Sequence, residues 1–414
     1  MKLPVEIVEK ILINCDGKTL INARLVSYEW KEIVNYLSNK TSLWQWCCET
    51  EIPDKELIDY LNQYDSSDTK KWQKIYNNWA SWQNMQEDIR YDIIASPVEI
   101  PRISCIATSG SYIAVGSEDG RVRVFLDSWK QVHSSRHKAV KVVKLSFIVI
   151  PGNKQTSEVC LVIAYPRALV IDYLEKPSNP IILEDIKNHS VFKDYICYEK
   201  VRGLISIVKL CYNSGSKVLM EIWFSRIYSP SYPTCLNIWN GACALLINNE
   251  IQIVHYDAAD TPPISGLERV ARLKTSLNLI SEKSYQILRD DIIIRLGKAS
   301  SFASEEFIEF FILGPNGECS KKLFNTWDVL TSFITCIFVY GNTLVLGVDC
   351  GNVYFYHVAC WKHFDIRNYQ KKIIIGKHPI ISIDVKETRS ERRFYVASTF
   401  CIHEVIGYNV NMEP

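Results

Sequence analysis

The chain has 414 residues with 47 Lys plus Arg against 46 Asp plus Glu, a length for two or three domains without the basic excess of a bulk nucleic-acid binder. Hydrophobic residues make up 47% and aromatic residues 12%, which describes packed globular domains and excludes a disordered chain. Apolar runs such as 204–208 and 292–294 are far too short to cross a membrane, and Glu6, Glu9 and Lys10 interrupt any apolar core a signal peptide would need.

The N-terminal stretch predicts short helices. Pro4 suits a first helical turn, where its missing N–H costs nothing. Val5, Val8 and Leu12 then fall on one helical stripe, and Ile7 and Ile11 on the neighbouring one. This helix is therefore apolar over most of its girth. Asp16, Gly17 and Lys18 are expected to break it. A second piece carries Leu20, Ala23 and Arg24, and a third carries Val26, Trp30, Ile33, Val34 and Leu37 at helical spacing, with Leu43, Trp44 and Cys47 following. About 45 residues in three short helices cannot bury this much apolar surface alone, so part of it needs a partner: another protein, or the rest of the chain.

The same residues resemble the F-box family. Leu3-Pro4-x-Glu6-Ile7 opens the motif, Ile11-Leu12 and Leu20 follow, then Arg24-x-Val26-Ser27-x-x-Trp30 and Leu43-Trp44. Asn14-Cys15 departs from the apolar pair common at that point. The resemblance implies an all-α docking module that binds a Skp-family adaptor and, through it, a cullin. It implies an adaptor face and F-box core formed by Leu3, Pro4, Ile7, Ile11, Leu12, Leu20, Val26 and Trp30.

Residues 51–88 read as a helical linker. Leu57, Ile58 and Leu61 make one apolar stripe, and residues 66–69 are a polar break with capping side chains. Trp72, Ile75, Tyr76, Trp79 and Trp82 recur at helical spacing, a packing face more than a ligand site.

From about residue 100 the period changes from helix to strand. Residues 102–108, 112–116 and 121–125 alternate between Gly and Ser turns, with Asp119-Gly120 as a tight hairpin signal. The segment from Tyr112 to Phe125 resembles the core of a WD repeat, Phe125 standing at the usual Trp position. Arg136-His137 resembles the opening of the next repeat. The rhythm returns at 334–340, 343–347 and 352–358, and Gly376-x-His378 opens again. Between them, 159–171, 204–224, 236–255, 285–296 and 307–313 read as strand pairs of degenerate repeats. At ~45 residues per blade, the span after residue 100 holds about seven blades. The final blade offers 380–385, 394–398 and 402–406, with 408–410 a meagre fourth strand. An open edge invites aggregation, so residues 91–98 are expected to supply its outer strand and close the ring. The fold expected is thus multidomain: an all-α F-box at 1–50, a helical linker at 51–88, and an all-β WD-repeat-like propeller at 89–414.

Few residues suggest chemistry. The 14 cysteines include no Cys-x-x-Cys, and Cys105, Cys160 and Cys336 sit among apolar neighbours, as small core side chains in a reduced compartment do. His133 and His137 have the spacing of a helical zinc pair but lie in strand and loop, so no metal site is expected, and His137 reads as a blade-opening histidine that bonds locally. Gly347-x-Asp349-x-Gly351 is a turn signal. No catalytic or nucleotide fingerprint occurs, and no cofactor is expected.

The resemblance implies a non-enzymatic substrate-recognition subunit of an SCF-type ubiquitin ligase, cytoplasmic or nuclear. Its alternative is an F-box and propeller scaffold outside ubiquitin transfer, and a third is a propeller enzyme or a structural scaffold whose N-terminal helices only pack. The protein substrate is unknown. Nucleic acid and membrane are not expected partners. Arg123, Arg202, Arg226 and Arg295 are eligible for a substrate face only because they lie in or near strands, and a solvated outer face explains them equally.

Overall fold

The computed structural model describes residues 4–52, 56–57, 60–61, 68–83, 90–150, 158–174, 179–201, 204–213, 216–226, 234–239, 242–247, 250–255, 269–274, 278–279, 285–289, 292–299, 305–313, 319–387 and 391–408. Internal contacts divide the chain into two units. One holds Met1–Asp92, Lys386–Arg393 and Val405–Pro414, the other Ile93–Val385 and Phe394–Glu404.

In the first unit, α1 (Val5–Ile13), α2 (Gly17–Val26), α3 (Tyr28–Lys40) and α4 (Leu43–Glu51) follow one another with short turns. The expected break at Asp16–Lys18 is instead the start of α2. Asp16 is its N-cap, with Oδ1 accepting from the Thr19 N–H at 2.7 Å, so Gly17 and Lys18 are already helical. That hydrogen bond holds the Asp16 carboxyl below its ordinary range. Val26, expected in the third helix, ends α2. Ser27 is the N-cap of α3, its Oγ accepting from the Trp30 N–H at 3.2 Å.

Residues 56–57 and 60–61 are helical, and α5 (Lys71–Gln83) carries the tryptophan-rich face. Ile58 lies outside the described residues. Leu12, Leu20, Val34, Leu37 and Cys47 share one core with Leu57, Tyr60, Ile75 and Tyr76, while Trp72 and Trp79 pack against it from its rim. Burial of this kind is worth roughly 1.5–3 kcal/mol per large side chain. Glu51 ties the elements together: Oε1 accepts from the Gly17 N–H at 2.8 Å and Oε2 from the Tyr76 hydroxyl.

The described strands form seven consecutive antiparallel sheets. Blade 1 is β2 (Ile103–Ser109), β3 (Tyr112–Ser117), β4 (Val122–Leu126) and β5 (Gln131–Ser135). Blade 2 is β6 (Lys144–Ile150), β7 (Glu158–Tyr165), β8 (Ala168–Tyr173) and β9 (Ile181–Glu184). Blade 3 runs from β10 (Ile186–Phe192) through β11 (Tyr195–Lys200) and β12 (Leu204–Asn213) to β13 (Ser216–Arg226). Blade 4 runs from β14 (Thr234–Trp239) through β15 (Ala242–Ile247) and β16 (Glu250–His255) to β17 (Arg269–Lys274). In blade 5 two short inner strands, β18 (Asn278–Leu279) and β19 (Tyr285–Arg289), both pair with β20 (Ile292–Lys298), followed by β21 (Phe307–Leu313) and β22 (Cys319–Asn325). Blade 6 is β23 (Ile334–Tyr340), β24 (Thr343–Val348), β25 (Asn352–His357) and β26 (Lys371–Ile374).

The last sheet is β27 (Ile380–Glu387), β28 (Glu391–Ser398), β29 (Ile402–Tyr408) and, outermost, β1 (Arg90–Ala95). The closing strand is therefore the segment expected from the sequence, shorter by three residues at its end. Tyr408 finishes β29 and starts no further strand; residues 409–410 lie outside the described set. The ring is also joined at its inner strands: the Thr108 N–H donates to Asp384 Oδ2 at 2.7 Å and its hydroxyl to the Val385 carbonyl at 2.9 Å.

Apolar clusters sit between neighbouring blades. Cys105, Val124, Leu161 and Val170 fill the gap between blades 1 and 2, and Ile113, Phe125, Tyr395 and Ile402 the gap between blades 7 and 1. Phe125 does the packing its position predicts. At the Asp119-Gly120 turn, Asp119 Oδ1 accepts from Ser117 Oγ at 2.7 Å, and Gly120 has φ of 86°. Gly351 has the same positive φ, 81°, in the turn between β24 and β25 of blade 6, while Gly347 of the turn signal lies within β24 itself.

Candidate functional site

The capped turns decide which apolar side chains of the F-box helices face out. Pro4 is exposed and its carbonyl accepts the Ile7 and Val8 N–H groups at 3.0 and 3.2 Å, opening α1 as expected. Val8 and Leu12 point into the core, whereas Val5, Ile7, Ile11 and Ile13 are exposed. At the Ser27 cap the chain turns out Leu25 at 81%, Val26 at 65% and Tyr28 at 77% exposure.

Of the residues the sequence assigned to the adaptor face and its core, Pro4, Ile7, Ile11 and Val26 are thus on the surface. Leu12 and Leu20 are fully buried and support the helices from inside. Trp30 is half-buried against the same core, and Leu3 lies outside the described residues. Val5, Leu25 and Tyr28 are exposed as well, though the sequence reading did not single them out for a surface role. The available signal was the apolar run Leu25-Val26-x-Tyr28 broken by a capping serine.

A face of exposed Ile, Leu, Val and Tyr on capped helices can bind an apolar groove of another protein; it holds no acid–base or nucleophilic chemistry. Burial pushes the neighbouring Cys47 thiol up to about 12, which keeps it a small apolar core side chain.

In the propeller unit, the arginines eligible for a substrate face separate. Arg295 is fully buried in β20, opposite Glu309 of β21, and is unavailable to a substrate. Arg123 is half-buried in β4; Arg226 ends β13, and Arg202 lies outside the described residues. His133 and His137 both place Nε2 on one oxygen, Asp172 Oδ2, at 3.1 and 3.0 Å. The partner of His137 is therefore not local; it lies in strand β8 of the next blade. Burial by itself raises the Asp172 carboxyl, but the two imidazole hydrogen bonds outweigh it and hold the group well below the carboxylate range. Among the described residues, no group of three or more His, Cys, Asp or Glu side chains is arranged to hold a metal ion. Thirteen cysteines are free; of these Cys105 and Cys160 are buried, and Cys336 is only half-buried. No described helix is long and apolar enough to cross a membrane.

The family model of the F-box domain matches residues 1–42. No match is found among curated proteins. Among solved structures, the chain is similar to the β-propeller domain of Cps50 (Swd1) of Myceliophteria thermophila, at 9% identity over 77% of this chain and 99% of that one, with a TM-score of 0.51. It is also similar to Sqt1 of Saccharomyces cerevisiae, at 10% identity over 75% of this chain and 97% of that one, with a TM-score of 0.48. The computationally designed protein Ika8 matches at 9% identity over 74% of this chain and 96% of that one, with a TM-score of 0.46. At such identities the likeness speaks for the fold alone, and only the first of the three scores carries it. The chain is an N-terminal F-box domain followed by a β-propeller fold.

Proposed function

We propose that this chain, an F-box domain followed by a β-propeller, is the substrate-recognition subunit of an SCF-type ubiquitin ligase. The F-box domain docks on a Skp-family adaptor and through it joins a cullin; the propeller holds a protein substrate. The observation that carries the reading is the outward apolar face of α1 and of the α2–α3 turn within the segment matched by the F-box model. In this role the chain is a non-catalytic receptor. It works by proximity, raising the effective concentration of substrate lysines near the charged ubiquitin. The compartment that fits this role is cytoplasm or nucleus.

The test uses the split between outward and inward residues. Ile7→Ala with Val26→Ala should leave the fold intact and weaken binding of a recombinant Skp-family adaptor by roughly tenfold or more, since buried interface anchors typically carry that much. A Leu20→Ala control should lose stability first. Unchanged adaptor affinity in the folded surface variant would sink the docking assignment. A captured partner that lives equally long with the full chain and with the Ile7→Ala, Val26→Ala variant would leave a scaffold and remove the ligase.

A further inference from the structure

Strand β28 ends at Ser398 and β29 begins at Ile402, and the turn between them sets a nucleophile beside a base. Cys401 Sγ lies 3.7 Å from His403 Nδ1, within hydrogen-bond reach for a sulfur. Two residues apart at the start of β29, the two side chains project to the same side of the strand. Ser398 completes the group. Its hydroxyl donates to the Cys401 carbonyl at 3.1 Å, the Cys401 N–H donates back to Oγ at 3.4 Å, and Oγ lies 3.2 Å from Sγ.

The group is held in place and reaches the surface. Ser398 is buried, and the Ile103 N–H donates to the Thr399 carbonyl at 2.8 Å, which fixes the turn against blade 1. Cys401 and His403 are half-buried, and Phe400 between Thr399 and Cys401 is 51% exposed. A small solute can therefore meet the sulfur, while a bulky one meets the ring of Phe400 first.

The three groups have complementary chemistry. Burial lowers the His403 imidazole below its ordinary range, so the ring is neutral at pH 7. With its proton on Nε2, Nδ1 is free to accept the thiol proton. The Ser398 hydroxyl can swing its own proton from the Cys401 carbonyl onto the sulfur as negative charge develops there.

The more exposed thiols lack this arrangement. Cys319, Cys350 and Cys360 are all exposed. Cys319 Sγ donates to the Ser320 carbonyl at 3.8 Å, and Cys350 Sγ receives the Ser332 hydroxyl at 3.2 Å and the Asn352 amide at 3.1 Å. The two donors on Cys350 occupy its lone pairs and take no proton from it. Among the described residues, none of the three hydrogen-bonds to an imidazole nitrogen.

We propose that Cys401 is a modification site, a thiol that small hydroperoxides oxidise to the sulfenic acid while His403 takes its proton. The thiol proton moves to Nδ1 as Sγ attacks one peroxide oxygen. The S–O bond forms, the O–O bond breaks, and the proton on Nδ1 leaves with the departing oxygen. Hydrogen peroxide thus yields the Cys401 sulfenic acid and one water, sulfur losing the two electrons that the peroxide gains. Ser398 is a positioning residue.

The test takes the reduced full chain, less than one equivalent of hydrogen peroxide and dimedone as the sulfenic acid trap, and reads each cysteine by peptide mass spectrometry. Exposure alone would rank Cys319, Cys350 and Cys360 ahead of Cys401. Cys401 should instead be trapped roughly tenfold or more faster than any of them, since a positioned base typically contributes at least ~10²-fold. His403→Gln should slow trapping at Cys401 by roughly tenfold or more and leave the exposed cysteines and the circular dichroism melt unchanged. The pH profile separates proton transfer from packing. Between pH 8 and 7 the parent rate at Cys401 should change little, whereas in His403→Gln it should fall about eightfold, following the thiolate fraction of an ordinary thiol with a pKa near 8.5. Trapping ranked by exposure with Cys401 last, or a rate and pH profile that His403→Gln leaves untouched, would overturn the proposal. Were the variant to fold poorly, the ranking and the pH profile of the parent decide the matter alone.

Discussion

Glu387 sits in the first unit with only 1% of its surface exposed, and removing its side chain should be among the costlier single changes in that unit. Oε1 accepts the hydroxyl of Tyr60, and Oε2 lies 3.1 Å from Arg392 Nε. Arg392 is 4% exposed and its guanidinium lies 4.7 Å from the centroid of the Trp82 ring. Burial, followed by the adjacent Glu387 charge, pushes the Tyr60 phenol well above its ordinary range, so it stays a neutral donor. Glu387→Ala leaves a buried cation facing a void. Breaking such a pair typically costs about 3–5 kcal/mol, whereas replacing both members with apolar groups of similar volume can be nearly neutral. Tyr60→Phe removes one hydrogen bond to a charged acceptor and should cost about 1.5–3 kcal/mol. The assay is urea denaturation followed at 222 nm, where the helices report. Glu387→Ala should lower the helical transition most, Tyr60→Phe less, and Glu387→Leu with Arg392→Met should recover much of the loss. If the losses of Glu387→Leu and Arg392→Met, each measured alone, simply add in the double variant, the pair is not coupled and the argument from burial is wrong.

His189 is buried in β10 with its Nε2 unpartnered, and desolvation lowers its pKa to about 3. Below the unfolded value near 6.5 the unfolded chain takes up a proton that the folded chain refuses, so stability present above pH 6.5 is lost as pH falls towards 3, by up to about 3 kcal/mol at pH 4. His189→Leu should flatten the melting temperature between pH 7 and 4; an unchanged slope would place the acid sensitivity elsewhere. Gly120→Ala should cost several times as much as Gly110→Ala in thermal melts, because both have positive φ but a Cβ at Gly120 would meet the Lys138 carbonyl oxygen at 1.9 Å and one at Gly110 meets nothing. Equal losses at the two positions would mean that the Gly120 turn relaxes.

Local period exposed the elements whose burial is one-sided. The 3.6-residue spacing of Ile75, Tyr76 and Trp79 placed α5, and alternation with Gly turns placed β2 to β4 and β23 to β25. The closing strand β1 was legible because a ring needs one and 91–98 was the strand-like stretch left over. What the period could not show was anything set by partners distant in sequence. Tyr60 and Glu387 are 327 residues apart. Arg295 looks like any strand arginine until pairing sets it opposite Glu309 in a closed sheet. Trp327 and Phe333 lie in a crossover with a single helical turn, α6 (Trp327–Leu330), and no period to read. The start of α2 was missed for a different reason: Asp16 and Gly17 are ordinary breakers, and only the bond to the Thr19 N–H makes Asp16 a cap.

The exposed apolar surface of the F-box helices shows the same limit in its sharpest form. A helix apolar all round must satisfy two surfaces, and the sequence of α1 says so without saying which residues serve which. The core takes Val8 and Leu12, one turn apart on one side. Val5, Ile7 and Ile11 then remain on the side that its own unit leaves exposed. Tryptophan-rich α5 has no such remainder, since Ile75, Tyr76 and Trp82 are buried and Trp72 and Trp79 are half-buried. An excess of apolar girth therefore signals a partner only after the intramolecular face has been subtracted. That subtraction assigns outward roles to Ile7, Ile11 and Val26, adds Leu25 and Tyr28 to them, and moves Leu12 and Leu20 inside.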